Sequence, residues 1–127
     1  MTEIRYLSDE WLAALDRAAQ TLTSDPDRPV VIEQTVRDGE HEIVWHTTVS
    51  QSVRVVPGPA VDAAIRFSSD RETAMAITSG RLSAQRAFLD GRLHLRGDVG
   101  ALMAARPSLA ALADGFAAVR ADTSDLA

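Results

Sequence analysis

A chain of 127 residues, 46% hydrophobic and 24% charged, is one globular domain with enough length to bury a core. Its formal net charge of −5 argues against nucleic acid as the main partner, and the lack of cysteine removes disulfides and thiolate chemistry. All 13 basic residues are arginine, which also excludes lysine Schiff bases and the phosphate-loop lysine.

The first element is a helix starting at Ser8-Asp9-Glu10-Trp11-Leu12. Ser8 is its N-cap, and the two acids sit where the helix dipole favours them. Leu7 and Leu12 are placed for a hydrophobic staple, and Trp11, Leu15, Ala18 and Leu22 share one face. Residues 23 to 29, with two prolines and two aspartates, form a loop. Val30 to Arg37 is a strand, Asp38-Gly39 a two-residue hairpin turn, and the return strand runs from Glu40 to about Val49. That turn pairs Ile32 with Trp45 and Val36 with His41, and puts Val30, Ile32, Val36, Ile43 and Trp45 on one face.

Ser50-Gln51 is a second turn and Val53 to Val56 a third strand, which Pro57-Gly58-Pro59 ends to begin a crossover. Val61, Ala63, Ile65 and Phe67 alternate with polar or small residues as a fourth strand. Asp70 caps a helix from Arg71 to Ser79. Gly80 is a left-handed stop, Ser83 caps the next helix, and Gly91 ends it. Arg92 to Arg96 alternates as a fifth strand, Gly97 breaks it, and Asp98 caps a helix from Val99. Pro107 interrupts that helix and suits the first turn of the last one, with Leu109, Leu112, Phe116 and Val119 on one face. From Ala121 the chain is small, acidic and frayed. The expected fold is α+β: a five-stranded sheet covered on one face by helices, in the order α-β-β-β-crossover-β-α-α-β-α-α.

The stretch from Asp62 to Asp98 resembles the sterol carrier protein domain, also called the non-specific lipid-transfer domain. The likeness is tightest from Gly80 to about Met103 and rests on Gly80, Gln85, Ala87, Phe88, Gly91, Leu93 and Gly97 at the spacing Gly…Gln-x-Ala-Phe-x-x-Gly-x-Leu-x-x-x-Gly. Before Asp62 only the order of elements matches. The resemblance implies an apolar tunnel between sheet and helices.

By periodicity alone Met75, Phe88, Leu102, Met103, Leu112 and Phe116 are core residues on helices. The resemblance implies that they line the tunnel with Trp45, Ile65 and Phe67, and that Gln85, the motif glutamine, sits near the ligand. Without the resemblance, Gln85 is equally well an exposed helix position. Arg71, Arg81, Arg86, Arg92, Arg96 and Arg106 form either a solvated face or a surface for anionic headgroups.

Catalytic and metal patterns are missing. His41 and His46 differ by an odd number on one strand and point to opposite faces, and neither they nor His94 has a local partner set for a metal. There is no Gly-x-Ser-x-Gly elbow and no dinucleotide fingerprint. Arg96-Gly97-Asp98 matches an adhesion tripeptide but merely closes a strand. No stretch reaches transmembrane length, the opening Met1-Thr2-Glu3 is no signal peptide, and the last residues are no peroxisomal address. A cytoplasmic location is therefore expected, and the arginine and alanine usage suits a GC-rich bacterial genome.

These readings lead to a non-catalytic lipid-binding domain without cofactor. Its expected ligand is a fatty acid, acyl-CoA, phospholipid or sterol-like lipid, with transient contact to an anionic membrane surface. The alternative is an accessory or scaffold subunit, a homo-oligomer or the partner of an enzyme, that presents a hydrophobic substrate.

Overall fold

The structure is a computed structural model and describes residues 4–22, 29–103 and 116–124. Its centre is a mixed five-stranded sheet. β2 (Val30–Asp38), β3 (His41–Val49) and β4 (Val53–Pro57) form an antiparallel meander. β5 (Ile65–Asp70) pairs parallel with β2 on the other side, and β6 (His94–Gly97) closes that edge antiparallel to β5. The spatial order is β4-β3-β2-β5-β6.

The helices are α1 (Asp9–Ala19), α2 (Arg71–Thr78), α3 (Ala84–Leu89), α4 (99–103 within the described residues) and α5 (Ala117–Ala121). This is the expected α+β fold. Two short strands add to it: β1 (Ile4–Arg5) pairs parallel with β7 (Thr123–Ser124). Thr123 and Ser124 are thus paired where the composition suggested fraying. Tertiary pairing with Ile4 and Arg5 supplies what the local sequence does not.

The predicted caps form. Ser8, Asp70 and Ser83 each accept the backbone N–H three residues on, from Trp11, Thr73 and Arg86. Gly80 and Gly91 have φ of 83° and 75°. Behind them, Arg81 N bonds Ala76 O at 2.9 Å and Arg92 N bonds Ala87 O at 2.9 Å, while the Gly80 and Gly91 N–H groups bond the Ile77 and Phe88 carbonyls three residues back. Both helices therefore end in a full Schellman motif. The motif around Gly91 also corrects the fifth strand. Arg92 and Leu93 both donate to the Ala87 carbonyl, so β6 begins only at His94.

Two further boundaries move. The turn is Gly39-Glu40, with Gly39 at φ 63° in the first central position, as a type II′ turn requires. Ile32 therefore faces Thr47 rather than Trp45, and Val36 faces Ile43 rather than His41. A shift of two residues keeps every side chain on its expected face, so the apolar set survives intact. The fourth strand starts at Ile65 rather than Val61, which is 93% exposed. Ala60 N bonds Glu33 Oε1 and Ala64 N bonds the Val31 carbonyl, holding this stretch as crossover.

The crossover lies on the face opposite the helices. There the buried Glu33 takes Ala60 N–H and Arg66 Nε, and His46 Nδ1 meets the Gly58 carbonyl at 2.9 Å. On the other face α1 lies against β4 through Trp11, Leu12, Leu15 and Ala19, while α2 covers β2 and β5. Asp16 fixes α1 to the edge strand. Its carboxylate holds Arg54 by two bonds of 2.9 Å and accepts the Val55 N–H at 2.9 Å. Arg106, Pro107, Leu109 and Leu112 lie outside the described residues.

Candidate functional site

One row of side chains crosses the helix-covered face of the sheet. Register places Trp45 opposite Gln34, Gln34 opposite Phe67, and Phe67 opposite Leu95. Two aromatics thus flank a glutamine on the side that packs inward. Above this row α2 contributes Ile77 and Thr78, and between them space remains open.

The space consists of two adjoining cavities that share Gln34, Trp45, Phe67, Ile77 and Thr78 in their walls. The larger, about 290 Å³, extends under α1 past Trp11 and Leu15, over Ile32 and Val55, to Phe116 and Arg120. The smaller, about 150 Å³, runs the other way past Tyr6 and Ala74 to Ala84 and Leu93. Close-packed interiors seldom leave voids larger than a water. Together the two fall within the ~300–1,000 Å³ of ligand pockets.

Most of the lining is apolar. Tyr6 and Thr78 close part of the roof by a 3.1 Å hydroxyl–hydroxyl bond. Burial pushes the Tyr6 phenol above its ordinary value, against the opposing effects of the Thr78 bond and the Arg71 charge. Tyr6, Trp11 and Trp45 stack edge to face, with centroids 5.0 and 5.4 Å apart. Among the described residues the buried Trp11 indole N–H has no hydrogen-bond partner, an unmet donor within this aromatic wall. At the far end of the larger cavity, Arg120 is exposed and, among the described residues, supplies the one charged group in either lining.

Among the residues singled out from sequence, Trp45, Phe67 and Phe116 meet at this space. Ile65 is fully buried in the sheet, and Met75 and Leu102 are partly buried against the same core. Gln85, Phe88 and Met103 face solvent instead; Met103 is 55% exposed. Gln85 sits on the outer side of α3, because Ala87 is the residue that this short helix turns inward. Leu112 lies outside the described residues.

Gln34 was missed by sequence reasoning. Its signal is a polar residue in the apolar series of Val30, Ile32 and Val36. Trp11 and Leu15 were placed only on one face of the first helix, Tyr6 and Ile77 were not singled out, and only the packing shows that all four border open space. Among the described residues, no group of three or more His, Asp or Glu side chains is placed to hold a metal ion, and no helix is long and apolar enough to cross a membrane.

Comparison with known proteins adds to this geometry. Residues 9–110 match the model of the SCP-2 sterol transfer family. No curated protein matches the sequence significantly. Among solved structures, a crystal structure of sterol carrier protein 2 is similar with a TM-score of 0.65 at 19% identity, over 91% of this chain and 97% of that one. Palmitated SCP2L2 from Aedes aegypti gives 0.60 at 18% identity, over 76% of this chain and 91% of that one. The sec-alkyl sulfatase PisA1 gives 0.50 at 16% identity, over 57% of this chain and 12% of that one.

Proposed function

Because the chain belongs to the SCP-2 sterol transfer family, whose general role is lipid binding and transfer, we propose that it carries a single-chain lipid in the two adjoining cavities. The observation that carries this reading is the floor, Trp45–Gln34–Phe67, which keeps open apolar space on both sides of one polar side chain. A fatty acyl group is the chemistry such a space accepts. Each methylene leaving water gains ~0.8 kcal/mol, so a chain of about twelve to sixteen carbons offsets the cost of ordering it. The Gln34 amide offers both a donor and an acceptor to a polar group along or at the end of the chain. Transfer needs no covalent step: the lipid partitions in and out, and contact with an anionic membrane surface shortens its path through water.

The test is displacement. A fluorescent fatty acid is expected to bind at micromolar affinity or better and to be released by unlabelled long-chain lipids. No displaceable binding by fatty acids, acyl-CoA or phospholipid would defeat the proposal. A second reading, in which the domain presents a hydrophobic substrate to an enzyme, is favoured by the presence of a similar fold as 12% of a sec-alkyl sulfatase. Native mass spectrometry separates the two: co-purified lipid supports the carrier, and a tight complex with another chain supports the accessory role.

A further inference from the structure

Gln34 is a polar side chain set into the middle of an apolar floor. It lies on the inward face of β2, with Trp45 on one side and Phe67 on the other, and it borders both cavities. The next inward positions along β2 are Ile32 and Val36, both buried. Among the described residues the Gln34 carboxamide makes no hydrogen bond, although an amide both donates and accepts. The side chain is only partly buried, so what its amide meets on this face is the open space. The Tyr6 and Thr78 hydroxyls, by contrast, already bond each other at 3.1 Å.

A plain hydrocarbon chain threaded through both cavities would shut this amide off from water and give it no partner. That opposes binding, because a desolvated amide left unpaired costs more than a made hydrogen bond returns. A ligand oxygen at the same point removes the penalty and adds a bond. A site built around a polar group therefore rejects the analogue that lacks its partner more strongly than apolar walls reject an extra methylene.

The two ends of the space also differ. The larger cavity ends at Arg120, an exposed guanidinium with no ion pair among the described residues. A carboxylate there gains an opposite charge while keeping part of its water, and so avoids the cost of burying an ion. The smaller cavity has no charged side chain among the described residues and suits hydrocarbon. Gln34 stands where the two meet, away from either end.

We infer that the ligand is a fatty acid oxygenated near the middle of its chain, with its carboxylate at Arg120, its hydroxyl or keto oxygen on the Gln34 amide and its hydrocarbon end in the smaller cavity. This rests on the proposal that the cavities hold a single-chain lipid, and it names the class of that lipid.

The test is competition against a fluorescent fatty acid. The competitors are octadecanoic acid and its derivatives with a hydroxyl near mid-chain, a keto group near mid-chain, or a hydroxyl on the terminal carbon. The parent is expected to bind the mid-chain oxygenated acids roughly five- to tenfold more tightly than the plain acid or the terminal alcohol. Gln34→Leu replaces the amide by an apolar floor. It is expected to bind the plain acid at least as well as the parent does and to prefer it over the hydroxy acid. Arg120→Gln is expected to weaken all the acids by a similar factor and to leave the mid-chain preference in place. The same ratio of hydroxy to plain acid in the parent and in Gln34→Leu overturns the inference. So does a parent that binds all the acids alike, and the carrier proposal then stands without it. If no acid binds, plain or oxygenated, both fail together. Should Gln34→Leu not fold, the positional series in the parent decides alone.

Discussion

Gly97 is the residue at which the backbone tolerates no side chain. Its φ is 120°, and a Cβ built there would stand 2.1 Å from the Ala64 carbonyl oxygen. That carbonyl accepts the Asp98 N–H at 2.9 Å, so it is held where the clash occurs. Gly97→Ala is expected to cost more than ~2 kcal/mol, from overpacking against backbone added to a disfavoured φ. Gly91→Val is the milder companion. Its φ of 75° is disfavoured, but no atom stands within 4 Å of the new Cβ, so the cost is about 1–2 kcal/mol. Denaturant midpoints for the two variants check this order; equal midpoints would show that β5 and β6 separate freely. Sequence foretold the stops at Gly80 and Gly91, because a helix end is local. It showed Gly97 only as a strand breaker, because Ala64 is distant in the chain. Gln34 went unremarked among Val30, Ile32 and Val36, because its role depends on Trp45 and Phe67, which pairing brings to it.

At the scale of elements, two carboxylates hold helices in place. The Arg54 hydrogen bonds keep the Asp16 carboxyl below the usual carboxylate range, and the Thr73 backbone N–H does the same for Asp70. A carboxylate whose folded pKa is depressed stabilises the fold above its unfolded value of about 3.9, and the contribution is lost as pH falls through the lower folded value. Asp16→Asn is therefore expected to be less stable than the parent at pH 7, with the gap narrowing below about pH 4. A gap that stays constant into acid would show that the carboxylate charge plays no part in joining α1 to β4. Asp70→Ala is expected to cost about 1 kcal/mol by loss of the α2 cap, and Asp70→Asn much less, since an amide oxygen still accepts. Thermal melts of the pair check this. Elements of this kind were legible because caps and stops are short-range signals. Their boundaries were not. The Schellman bonds after α3 take Arg92 and Leu93 out of a strand they alternate into, and Gly39 serves as the first turn residue rather than the second.

For the whole molecule the question is whether the space above Trp45, Gln34 and Phe67 is a working cavity or loose core. Periodicity does not separate these, since both need apolar residues on the same faces. Met103 is half exposed, so enlarging it tests neither. Phe67 borders both cavities and is the better probe. In a tightly filled core, Phe67→Trp would overpack and cost ~1–3 kcal/mol. Beside open space, the larger ring has somewhere to go. Stability is then expected to stay within about 1 kcal/mol of the parent while lipid affinity falls at least roughly tenfold. Phe116→Ala works in the opposite sense: it widens the larger cavity, costs some stability and is expected to admit bulkier lipids. Ligand linkage supplies the independent measure. A lipid present at 100 times its Kd stabilises the folded state by ~2.7 kcal/mol. For a domain of this size that raises Tm by roughly 5–12 °C. The parent is expected to show this shift with a long-chain fatty acid, Phe67→Trp to show little of it, and Phe116→Ala to show it for a wider range of lipids. If Phe67→Trp melts like the parent and is still stabilised by lipid to the same degree, the ligand does not occupy the space between the sheet and α2.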